Sequence, residues 1–79
     1  MKIKVHLFGT LPQRFPGYSP GKGFDMEFPE GTLVKDLLSR LGIADSDGGI
    51  VTCGGHVMGH DDELEGGASV QVLQLAHGG

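Results

Sequence analysis

Only one stretch of this 79-residue chain has the apolar spacing of a helix. Val34, Leu37, Leu38 and Leu41 fall at i, i+3, i+4 and i+7 and so share one face, while Lys35, Asp36, Ser39 and Arg40 fall on the wet side. The spacing predicts a helix over residues 32–41. Thr32 is placed to accept from free backbone N–H groups as its N-cap. Gly42 is placed to end it in a left-handed turn, with Ile43 packing back beneath. A lone amphipathic helix has to bury its stripe against a sheet, because no second helix is available to cover it.

The sheet is written in period two. Ile3, Val5 and Leu7 alternate with Lys4, His6 and Phe8, and Phe24, Met26 and Phe28 alternate with Asp25 and Glu27. Between these strands, residues 10–23 hold Pro12, Pro16 and Pro20, three of the four prolines, together with Gly17, Gly21 and Gly23. That density predicts a long loop with no helix in it. After the helix, Ile50–Cys53 reads as a short strand, Gly54-Gly55 as a tight turn and His56–Met58 as a short return strand. Residues 59–67 read as an acidic loop anchored inward by Leu64, and Ser69–Leu75 as the last strand. The order is strand, strand, helix, short strands, strand. A helix crossing between two hairpin-like units lets the first and last strands lie parallel at the centre of a mixed sheet. The expected fold class is α+β: a ubiquitin-like β-grasp, with a mixed four- to five-stranded sheet packed on one main helix, in a single domain spanning residues 1–79.

Composition removes several classes of function. The net charge is −4 and the six basic residues are scattered, which argues against binding a phosphate backbone, so no nucleic acid is expected as a direct ligand. No stretch approaches the roughly 20 apolar residues that cross a bilayer, and the N-terminus has no signal-peptide pattern, so no membrane partner is expected. The single cysteine, Cys53, excludes an internal disulfide framework and fits a reducing, cytoplasmic setting.

The sequence closes on Ala76-His77-Gly78-Gly79, a segment that can neither cap a helix nor bury apolar area. Residues 76–79 are therefore expected to be mobile. Two glycines without Cβ atoms can lie extended in a narrow channel and present a bare α-carboxylate to an activating enzyme. A carboxylate is unreactive until it becomes a mixed anhydride, so such a tail implies a partner that adenylates it.

On these residues the whole chain resembles the ThiS/MoaD family of ubiquitin-like sulfur carriers. The resemblance rests on Val5-His6-Leu7-Phe8-Gly9, on Pro29-Glu30-Gly31-Thr32-Leu33-Val34-Lys35-Asp36-Leu37-Leu38, and on Gly78-Gly79. It implies a co-substrate with no catalytic residues of its own. A ubiquitin-activating-enzyme-like adenylyltransferase would use ATP to adenylate Gly79, and a sulfur donor protein would displace AMP to leave a thiocarboxylate. A sulfur-accepting synthase subunit would then receive the sulfur. Gly79 carries the sulfur and Gly78 gives it clearance; no bound cofactor is implied. Leu7-Phe8-Gly9 and the long loop are closer to the molybdopterin synthase small-subunit branch than to the thiazole branch, which points to molybdopterin or tungstopterin synthesis. The proline-rich loop, and Gln74-Leu75-Ala76-His77 before the glycines, depart from the family pattern. Thiamine, tRNA and amino-acid sulfur transfer therefore stay open as acceptors.

Strand parity sets Phe8, Leu73 and Leu75 on the outer face of the sheet, away from the helix, as a candidate partner surface. His77 beside the glycines is read as a contact residue. Cys53, His56, His60, Asp61 and Asp62 carry metal-ligating groups, but Gly54-Gly55 reads as a plain turn and no second cysteine is present, so no metal is expected. The alternative from another class is a noncovalent ubiquitin-fold interaction module in which the Gly-Gly is incidental.

Overall fold

The computed structural model describes residues 1–18, 21–43 and 48–74. Five strands, β1 (Lys2–Leu7), β2 (Phe24–Glu27), β3 (Gly49–Cys53), β4 (His56–Met58) and β5 (Ser69–Gln74), form one mixed sheet in the order β2-β1-β5-β3-β4. One α-helix, α1 (Val34–Arg40), is present among the described residues. The architecture is α+β. β1 and β5 run parallel at the centre, pairing Lys4 with Ser69 and Leu7 with Val72, and the other neighbouring strands pair antiparallel.

Alternation decides which side of the sheet the core occupies. Ile3, Val5, Leu7, Val51, Val70 and Val72 are all buried, and they pack with Val34, Leu37, Leu38 and Leu41 from α1 and its C-cap. Leu64 is buried in the same cluster, as its position in the acidic loop predicts.

α1 is shorter than the apolar spacing predicts, and its start is built differently. Leu33, not Thr32, is the N-cap residue, and the Thr32 hydroxyl donates to Pro29 O at 2.6 Å. The first-turn donors are taken from across the fold: Val34 N donates to Asp62 O and Lys35 N to His60 O. Asp36 Oδ2 accepts from Leu33 N at 3.0 Å. The end follows the expectation. Gly42 adopts φ +80°, Gly42 N donates to Ser39 O, Ile43 N donates to Leu38 O, and Ile43 is buried. This is a complete Schellman motif with its apolar contact.

The proline-rich segment is not free of helix. Leu11–Arg14 forms a 3-10 turn, with Pro12 in its first positions. There the missing proline N–H costs nothing, because helix-start donors have no intrahelical partner, and the fixed φ favours the turn. Leu11 is fully buried, and Phe15, Tyr18 and Phe24 form a ring cluster against the core. Gly54 and Gly55, at φ +60° and +83°, close β3 and β4 as a two-residue hairpin turn of the type that needs positive φ at both positions.

Candidate functional site

The open face of the sheet carries a gradient from charged to apolar. By register, Lys2, Lys4, Asp25 and Glu27 lie on this face at one end, and Lys4 Nζ stands 3.7 Å from Asp25 Oδ1. His6, Gln71, Thr52 and Val57 form a middle row, in which Thr52 Oγ1 donates to Gln71 Oε1 at 2.8 Å. At the far end, Phe8 N donates to Val72 O, which sets Phe8 beside Leu73, and Leu73 pairs across β5–β3 with Ile50.

Phe8, Leu73 and Ile50 thus make an apolar row across three strands. Phe8 is 49% exposed, so it stands out from the sheet and is not tucked under the long loop. Leu73 is on the predicted face but only half-buried, not fully exposed, because it sits in a central strand between Phe8 and Ile50. Ile50, also half-buried, is the member the sequence reading leaves out. Period two shows that Ile50 and Val51 face opposite ways, but only the β3–β5 register shows that Ile50 lies against Leu73. Leu75, His77, Gly78 and Gly79 lie outside the described residues, as does the tail 76–79 as a whole.

Arg14 frames this end of the molecule. Its Nη1 donates to Gln74 Oε1 at 3.2 Å and its Nη2 to Gly42 O at 3.3 Å, so one guanidinium joins the 3-10 turn, the last residue of β5 and the C-terminal turn of α1. The side chain is exposed, so these bonds orient the segments more than they stabilise them.

The residues with metal-ligating groups are spread out. His60 Nε2 lies 3.3 Å from Gly49 O, at the start of β3, whereas Cys53 and His56 pair at its end. Asp61 pairs with Lys35 at 3.2 Å, and Asp62 accepts from Gly59 N at 2.7 Å. Among the described residues, no three His, Cys, Asp or Glu side chains come together as a metal site. The half-buried Cys53 instead lines a cavity of about 160 Å³ with Met58, Leu64, Ala68 and Val70, at the opposite end of β5 from Leu73. No helix among the described residues is long and apolar enough to cross a membrane. Neither protein-family models nor curated proteins give a match to this chain.

Proposed function

We propose that this chain is a ubiquitin-like sulfur carrier of the β-grasp class, acting as a co-substrate and not as an enzyme. The observation that carries the reading is the placement of the apolar row Phe8–Leu73–Ile50 at the C-terminal end of β5, the strand that leads in sequence to Gly78-Gly79. A carrier has to dock before its tail can be threaded into an active site, and apolar contacts near an interface centre dominate such docking. The parallel β1–β5 pair at the centre of a five-stranded mixed sheet, with one helix on one face, supports the β-grasp assignment.

The chemistry belongs to the partners. The Gly79 carboxylate oxygen attacks the α-phosphorus of ATP within an adenylyltransferase, expelling pyrophosphate and forming an acyl adenylate. A sulfide equivalent from a sulfur donor protein adds to the acyl carbon and AMP leaves, so one carboxylate oxygen is replaced by sulfur. The thiocarboxylate then passes its sulfur to a synthase subunit acting on a cofactor precursor. The resemblance of Leu7-Phe8-Gly9 and the long first loop to the molybdopterin synthase small-subunit branch favours a molybdopterin or tungstopterin precursor, in the cytoplasm. Phe8 and Leu73 belong to the proposed contact surface, and Leu75 and His77, which follow in the sequence, are proposed as contacts to the same partner.

Intact mass spectrometry after incubation with the adenylyltransferase, ATP and a sulfide source tests this directly. The expected result is exchange of one oxygen for one sulfur at Gly79. An unchanged mass with stable partner binding would make the chain a noncovalent interaction module. Phe8→Asp should keep the fold and slow adenylation by about tenfold or more. Removing Gly79 should abolish transfer and leave docking intact.

A further inference from the structure

Among the described residues, β2 pairs with a strand on one edge only. Phe28 N donates to Met1 O at 2.9 Å, and the Met1 amino group donates to Phe28 O at 2.6 Å. Such doubly bonded pairs alternate along an antiparallel ladder with pairs whose backbone groups point away from each other. By register, Ile3–Met26 and Val5–Phe24 are then bonded inward, and the N–H and C=O groups of Asp25 and Glu27 turn to the outside. The opposite edge of β1 agrees, since Lys4 N donates to Ala68 O and Phe8 N to Val72 O on the β5 side. Among the described residues the sheet has no strand beyond β2.

The two residues that offer these backbone groups also carry the acidic side chains of the strand. Asp25 and Glu27 are exposed and only loosely paired, at 3.7 Å to Lys4 Nζ and 3.7 Å to the N-terminal amine. Between them, half-buried Met26 points to the core side. The other edge of the sheet is a poorer platform. β4 has three residues, and with Cys53–His56 bonded across a two-residue hairpin only Val57 turns its backbone outward.

We infer that β2 accepts an extended peptide segment of a partner as an added antiparallel strand, with Lys or Arg opposite Asp25 and Glu27 and an apolar residue between them beside Met26. The backbone groups supply the ladder, and the alternating side chains supply the selection. A second copy of this chain does not fit. Antiparallel pairing of two β2 edges about Met26 would set Asp25 of each copy opposite Glu27 of the other, and like charges directly opposite destabilise a sheet.

The test uses the free, full-length protein and two capped synthetic peptides, one alternating lysine with valine and one alternating glutamate with valine. Amide NMR titration should show saturable shifts centred on Asp25, Met26 and Glu27 with the lysine peptide. The Asp25 and Glu27 amides should gain protection from hydrogen exchange. The glutamate peptide should bind at least about tenfold more weakly, with the gap closing as salt is added. The double variant Asp25→Asn, Glu27→Gln changes exposed positions and sets no like charge opposite Lys4 or Lys2, so circular dichroism should be unaltered, and it should abolish the preference. Shifts centred elsewhere, unprotected Asp25 and Glu27 amides at saturation, or a preference kept in full by the folded variant would each overturn the proposal. None of these readouts involves Gly79 or sulfur transfer.

Discussion

Tyr18 shows how a single side chain completes a ladder. β1 continues past the last paired residue of β2, and there Leu7 N donates to the Tyr18 hydroxyl at 2.8 Å while that hydroxyl lies 3.4 Å from Leu7 O. One oxygen stands where the backbone of a longer β2 would be. Tyr18→Phe keeps the ring packed on Phe24 but leaves the Leu7 N–H orphaned, and urea denaturation should register a loss of about 1–3 kcal/mol. A loss below about 0.5 kcal/mol would show that water takes over the bond. Leu38 is 2% exposed within the core, and Leu38→Ala should cost about 2–5 kcal/mol in the same assay. Phe8→Asp, on the open face, should cost only about 1 kcal/mol, because half of the side chain is already exposed in the parent. The sequence distinguishes Leu38 from Phe8, because parity and helical phase alone sort inner from outer positions. It does not reveal the role of Tyr18, which depends on where the loop lands.

At the scale of elements, α1 illustrates both what is legible and what is not. Its apolar stripe and its Gly42 stop are local signals, and both appear as expected. Its start is mostly tertiary: Asp62 O and His60 O accept the first free N–H groups, and the local signal is Asp36, whose carboxylate accepts from Leu33 N. A seven-residue helix has too few propagation steps to offset nucleation by itself. A peptide of residues 30–43 should therefore show no helical circular dichroism in water, whereas the intact domain should; a helical peptide would show that the loop 59–64 is dispensable. The Leu11–Arg14 turn was hidden for the opposite reason, since proline density argues against helix interiors but not against a first turn. Strand positions were legible from alternation. The lateral contact of Ile50 with Leu73 was not, because pairing partners are chosen by the whole sheet.

For the molecule as a whole, the central pairing joins segments from near opposite ends of the sequence, Lys4 with Ser69 and Val5 with Val70. With one shared core, chemical unfolding should be two-state, with coincident far-ultraviolet and tyrosine-fluorescence transitions. The late closure of so large a loop should place folding in milliseconds to seconds, not microseconds, by stopped-flow. The same parallel pair has a mechanical consequence. Because β1 and β5 run side by side in one direction, Met1 lies at one pole and Gln74 at the other. Tension between handles at Met1 and Gln74 runs along the strands and loads the bonds between them in shear, so they resist together. Tension between Met1 and Gly67, whose N–H is bonded to Lys2 O, would open the same interface from its end, one bond after another, like a zip. In optical-tweezer pulling, the first geometry should hold to the higher force.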